Sequence, residues 1–137
     1  MAEALGRGLA EKGAVVLCGG LGGVMEAVCR GARAAGGTTV GILPGDDRAD
    51  ANDYVDVALA TGMGEMRNAL IVRAADVVVA VGGEHGTLSE IAFALKIGRP
   101  VVGIDTWQLT KGGAEDDPIV RAGSAEEAVA AALRLAD

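Results

Sequence analysis

The feature that most constrains this chain is a regular alternation of short aliphatic runs with helix-like segments. The runs are AVVLC (14–18), TTVGIL (38–43), DVVVAV (76–81) and PVVGID (100–105). Strands that are almost purely Val and Ile offer no polar face to water, so they belong to a parallel sheet covered on both sides. Between them, residues 2–12, Val24–Ala35, Glu65–Ala75 and Thr87–Ile97 read as helices, and SAEEAVAAALRLAD closes the chain as another. Gly36-Gly37 and Pro44-Gly45 supply stop signals, and Ser124 with Glu127 three residues on forms a capping box. YVDVALA (54–60) alternates as an edge strand does, whereas 106–123 shows no period and reads as a mixed loop. The expectation is α/β: a three-layer sandwich with a mainly parallel sheet, in a single domain spanning residues 1–137.

Composition narrows the partners. Half the residues are hydrophobic, yet Tyr54, Phe93 and Trp107 are the only aromatics, so the core is built from Val, Leu, Ile and Ala. A formal charge of −7 argues against nucleic acid and acidic membrane surfaces, both of which need a basic footprint. It leaves room for one small anion in a local site. Cys18 and Cys29 form no CxxC pair and no His/Cys cluster accompanies them, so no metal is expected and the thiols read as buried apolar groups of a reducing cytoplasm. No apolar stretch reaches the ~18 residues a membrane span needs. The expected location is cytoplasmic.

In open parallel sheets, ligands sit beyond the carboxyl ends of the strands. Three such ends are glycine-bearing here: Cys18–Gly23, Pro44–Gly45 and Gly82–Thr87. The first and third lead into helices, whose exposed N–H groups attract anions.

The stretches CGGLGGVMEAVCRGARAAGGTTVGILPG, TGMGEMRNALIVRAADVVVAVGG and GTLSEIAFALKIGRPVVGID carry a family resemblance. From about Gly13 to Trp107 the chain resembles the LONELY GUY (LOG)-like superfamily, and within it the molybdenum-cofactor-carrier-like branch. The resemblance implies a Rossmann-like nucleotide-binding sandwich that is a homodimer or higher homo-oligomer. LOG members are phosphoribohydrolases, which release base and ribose 5-phosphate from a nucleoside 5′-monophosphate. Their arginine and PGGxGTxxE loop map onto Arg67 and onto Gly83, Gly86, Thr87 and Glu90. Gly19, Gly20, Gly23 and Met25 match the earlier glycine-rich turn. By this mapping Arg67 and Glu90 are the catalytic candidates, and Gly19, Gly20, Gly23, Met25, Gly82, Gly83, Gly86 and Thr87 bind phosphate or nucleotide.

The pattern also departs from the family. Gly82 replaces the motif proline, as in the carrier-like branch, and Asn68 stands where LOG enzymes have lysine. Glu84 occupies the motif's second glycine, where its carboxylate repels phosphate and its Cβ hinders a backbone position that often needs positive φ. Members of the family carry a leading strand before the first helix, so the chain reads as N-terminally shortened, with that first strand absent.

Each candidate has a plainer alternative. Thr87-Leu-Ser-Glu90 is also a capping box, Arg67 also a solvated helix arginine, and His85 also a surface loop residue. Trp107 stacks on a ligand or simply packs. Two functions stay open. One is a phosphoribohydrolase of nucleoside 5′-monophosphates, needing no cofactor for hydrolysis. The other is a non-catalytic carrier or sensor, with molybdenum cofactor or a related nucleotide as bound cargo.

Overall fold

A computed structural model describes residues 1–115 and 117–136. The elements are α1 (Ala2–Glu11), β1 (Val16–Cys18), α2 (Val24–Ala34), β2 (Thr39–Leu43), β3 (Val57–Ala60), α3 (Asn68–Ala74), β4 (Val78–Val81), α4 (His85–Lys96), β5 (Val101–Ile104), β6 (Thr110–Lys111), β7 (Ala114–Glu115), β8 (Val120–Arg121) and α5 (Ala125–Leu135). The strands form two parallel three-stranded sheets, β1-β2-β3 and β4-β5-β8, with β6-β7 a separate antiparallel hairpin. β3 is an edge strand, as its alternation implied.

Three layers follow from the way the strands distribute their side chains. Successive residues of a strand point to opposite faces, and β4 and β5 use both. Val79, Val81, Val102 and Ile104 join a core with Leu5 of α1, Val28 and Cys29 of α2, and Ala128 and Ala132 of α5. Val78, Ala80 and Val101 join a second core with Val72 of α3 and Ile91 and Ala94 of α4. Val16 and Cys18 of β1 enter the first core, so the two sheets share one packed face although no ladder links them among the described residues. The parallel sheet is divided between β1 and β4, both edge strands of their own sheets.

Several boundaries differ from the sequence reading. The first and third runs lose their leading residues, β1 starting at Val16 and β4 at Val78. The segment from Glu65 begins not as a helix but as a 3-10 turn, Gly64–Arg67, before α3. The loop at 106–123 contains the hairpin and β8, whose two-residue strands are too short to show a period. At α5 the Ser124 cap forms, its Oγ accepting from the Glu127 N–H at 3.1 Å, while Glu127 reaches one residue past the cap, its Oε2 accepting from the Gly123 N–H at 2.8 Å.

α1 and α2 cross backbone to backbone. A Cβ on Gly6 would lie 1.9 Å from the Val28 carbonyl oxygen, and one on Gly31 would lie 1.9 Å from the Glu3 carbonyl oxygen. Glycine at both positions is what lets the axes approach so closely, and Arg30 Nε donates to Glu3 Oε2 at 3.2 Å along the same seam. That ion pair is half exposed and adds little, so the seam depends on the two glycines. Gly31→Ala should lower stability by roughly 1–3 kcal/mol, because a carbonyl oxygen cannot yield without parting the helices. Gly22→Ala, whose Cβ would meet nothing within 4 Å, should change it by less than about 0.5 kcal/mol. Urea unfolding of the two variants checks both values.

Candidate functional site

The first glycine-rich turn places backbone where side chains would collide. Gly19 and Gly20 follow β1 and are buried. A Cβ on Gly19 would fall 2.6 Å from Arg67 Nη2 and 2.7 Å from Met25 Sδ, and one on Gly20 would fall 2.7 Å from Leu43 Cδ2. Gly20 also has φ +79°, which favours glycine on conformational grounds. Asn52 pins the turn from outside, its Nδ2 donating to the Leu21 carbonyl at 2.8 Å. Gly23, at φ +68°, is the N-cap of α2 and has no side chain to satisfy the first-turn N–H groups.

Arg67 is not a solvated helix arginine. It ends the 3-10 turn ahead of α3 and is only 9 % exposed. Its Nε donates to the Ile42 carbonyl at 2.9 Å and its Nη1 donates to Asn68 Oδ1. Asn68, noted in the sequence only as a departure from lysine, is thus the residue that orients the guanidinium. Nη2 faces the Gly19 backbone.

The third tip is built differently from the sequence reading. Gly82 and Gly83 have φ +55° and +97°, and a Cβ on Gly83 would lie 2.2 Å from Thr87 Oγ1. The Gly82 N–H donates to the Ile104 carbonyl at 2.9 Å, and its own carbonyl accepts from Thr106 Oγ1 at 2.6 Å. α4 then starts at His85 with Glu84 as N-cap, so Thr87 is not the N-cap and the Thr87–Glu90 capping box does not form. Thr87 instead packs beneath Gly83. Glu84 has φ −106°, so its Cβ meets no left-handed backbone; the positive φ values fall on the two glycines before it. Its side chain does not cap the helix and the residue is exposed. Its carbonyl accepts from Trp107 Nε1 at 3.1 Å, and the Trp107 ring lies 5.6 Å from that of His85. Gly86 faces open space.

These parts converge electrostatically. Burial raises the Glu90 carboxyl above the usual carboxylate range, and the Arg67 charge pulls it partly back. Cys18, at the end of β1, feels both Arg67 and Glu90. Arg67, Glu90, Gly19 and Met25 therefore gather at one end of the fold, between the uncapped N-termini of α2 and α4. Gly82 and Gly83 border the same end, beside a cavity of about 410 Å³ lined by Asp105, Thr106 and Arg121. Such an arrangement can hold an anion on helix N–H groups and present one guanidinium and one carboxyl to whatever the anion carries. Among the described residues no three His, Cys, Asp or Glu side chains are grouped to hold a metal, and no helix is long and apolar enough to cross a membrane. What sequence reasoning missed was the Ile42 carbonyl and the contact between Cys18 and Cys29, which arise only when β1, β2 and α2 pack.

The chain is 35% identical to the molybdenum cofactor binding protein of the phototrophic bacterium Rippkaea orientalis, with a TM-score of 0.87 over 99% of this chain and 86% of that one. It is 37% identical to the molybdenum cofactor carrier protein of Chlamydomonas reinhardtii, with a TM-score of 0.86 over 98% and 85%. An uncharacterized protein of Archaeoglobus fulgidus is 48% identical over 104 residues, which cover 76% of this chain and 68% of that protein. The SLOG cluster4 family matches residues 1–131. With nearly the whole chain matched, this protein belongs to the SLOG cluster4 family.

Proposed function

We propose that the protein is a carrier of a small phosphorylated cofactor of the molybdenum-cofactor type, held at the glycine-rich strand tips. The observation that carries this reading is the pair of helix N-termini without side-chain caps, α2 behind Gly23 and α4 behind Gly82-Gly83, flanking Arg67. The cargo's phosphate sits on the first-turn N–H groups of α4 beside open Gly86, where no side chain competes. Gly19, Gly20 and Met25 form the opposite wall, and Arg67 Nη2 is the donor left over from its two protein bonds. The residues present fit a phosphorylated pterin that brings its metal with it, since the described side chains offer no metal cluster of their own. The likeness to two proteins named for this cofactor supports the same reading.

Hydrolysis of nucleoside 5′-monophosphates is the second reading, favoured by one observation. Glu90 keeps a raised carboxyl pKa next to Arg67, as a group that donates a proton to a leaving base would need. The carrier reading ranks first because Arg67 spends Nε and Nη1 on Ile42 and Asn68, which makes it a fixed anchor of the floor. Calorimetry with purified molybdenum cofactor and with AMP, alongside chromatography for free base, separates the two. The carrier reading expects tight binding of the cofactor with no base released, and Arg67→Met should weaken that binding about tenfold or more, as loss of a charged hydrogen bond does. Release of base that disappears in Glu90→Gln would establish the hydrolase instead.

Glu84 bears on affinity in either case. Its exposed carboxylate stands at the N-cap of the helix that receives the phosphate, where it repels without blocking. Glu84→Gly should tighten AMP or cofactor binding about fivefold at low salt, with the gain shrinking as ionic strength rises. Equal affinities at two salt concentrations would move the phosphate away from α4.

We also propose that the subunit pairs with copies of itself through β3, the turn after it and the first turn of α3. Val57, Leu59, Met63, Met66 and Leu70 are exposed there, Met66 by 71 %, and β3 presents an unpaired edge. Met66→Asp should shift the sedimentation mass towards that of one chain, because a buried charge at an apolar contact is unfavourable.

A further inference from the structure

Cys18 and Cys29 lie eleven residues apart, one at the tip of β1 and one in the middle of α2, and their sulfurs meet at 3.5 Å. Both are free thiols. A disulfide needs its sulfurs about 2.05 Å apart, so closure requires a combined movement of about 1.5 Å. The link between them can supply it, since Gly19, Gly20, Gly22 and Gly23 make up four of the five residues before α2. The two thiols are unequal. Cys29 is 0 % exposed among Leu5, Val28 and Ala32, whereas Cys18, the last residue of β1, is only half-buried.

We propose that Cys18 and Cys29 are a redox pair, a dithiol that closes to an intramolecular disulfide when an organic or inorganic hydroperoxide reaches the strand tips. Cys18 is the attacking sulfur. It accepts the Gly20 N–H at 3.3 Å, and the Cys29 thiol and the Arg67 charge favour its anionic form. These partners lower its pKa to about 7, while the hydrogen bond to Cys18 and burial push that of Cys29 up, so Cys29 keeps the proton and donates it to Cys18. The inequality matches the roles that disulfide formation requires.

The step balances with the hydroperoxide as sole oxidant. The Cys18 thiolate attacks the terminal peroxide oxygen; a sulfur–oxygen bond forms, the oxygen–oxygen bond breaks, and the departing alkoxide or hydroxide takes up a proton. Cys29 then gives up its proton and attacks the Cys18 sulfur. The sulfur–sulfur bond forms, the sulfur–oxygen bond breaks, and hydroxide leaves with that proton as water. Two thiols and one hydroperoxide become one disulfide, one alcohol (or water) and one water. Closure also takes the Cys18 sulfur off the Gly20 N–H and ties the end of β1 to α2, so it alters the glycine turn between them. None of this depends on which ligand the strand tips carry.

The experiment uses the full chain, reduced, freed of reductant and treated with one equivalent of hydrogen peroxide. Free thiols are then alkylated under denaturing conditions for intact-mass and peptide mapping. Wild type should lose about 2 Da and both alkylation sites together, with a linked Cys18–Cys29 peptide that dithiothreitol restores to two thiols. Cys29→Ala should stop at the first step, gaining about 16 Da at Cys18 that dimedone captures. Cys18→Ser should leave Cys29 unmodified. The alkylation rate of Cys18 in the unoxidised protein should reach half its maximum near pH 7. Two alkylatable thiols persisting in peroxide-treated wild type would overturn the proposal, as would a disulfide between chains or oxidation of Cys29 without Cys18. Mapping of the wild-type link needs no variant, so the proposal stays open to refutation even where a substitution at Cys29 fails to fold.

Discussion

A buried guanidinium organises this structure. Arg67 cannot lose its charge, and burying an unpaired cation would cost several kcal/mol. The fold meets that demand with the Ile42 carbonyl at the end of β2 and with Asn68 beside it in the chain. Ile42 lies at the carboxyl end of β2 and Gly19, which Nη2 faces, follows β1, so placing Arg67 also sets the relative height of β1 and β2. Gly19 has no Cβ because the guanidinium occupies its place, and the chain ahead of α3 tightens into a 3-10 turn to bring Arg67 under the sheet. The same charge then reaches outward to Glu90 and Cys18. A structural requirement and the chemistry of the candidate site are one feature.

The layered plan was legible because burial on two faces leaves a compositional trace. Val-rich runs such as DVVVAV cannot be half-wet strands, and they proved to feed both cores from alternate residues. The glycines at the strand tips were legible for a similar reason, since Gly20, Gly23, Gly82 and Gly83 all take φ values that side chains resist. Thr87 was misread because Thr-Leu-Ser-Glu satisfies a local capping rule that a tertiary contact overrode. With Gly83 in a left-handed conformation, Thr87 fits beneath it, and the helix begins two residues sooner without a side-chain cap. Local pattern and packing gave different answers, and packing won.

What remained hidden was everything that depends on register between distant segments. Arg67 and Ile42 are 25 residues apart, and no spacing rule announces that a carbonyl will meet that side chain. Which strands border the division between the sheets was hidden too, because a strand's sequence shows whether its faces are buried but not whether both its edges are paired. β1 and β4 have the side chains of interior strands while each lies at the border of its sheet.

The carboxyl of Glu90 shows how such a site is kept at the expense of stability. Burial raises its pKa above the ordinary value, so the folded chain holds that proton more firmly than the unfolded chain does. The sign follows from linkage. The favourable contribution of protonated Glu90 is complete below the unfolded pKa and is lost as pH rises through the folded one. At neutral pH the charged carboxylate therefore opposes folding, and Arg67 offsets only part of that. A glutamine would avoid the penalty, as would an alanine, and neither would change the helix propensity of α4 by more than a few tenths of a kcal/mol. A fold selected for stability alone has no use for a half-buried acid at this position. A fold that meets a ligand of the kind proposed above, with an anionic and a neutral or cationic part, does, because Arg67 and Glu90 together give the candidate site two electrical signs.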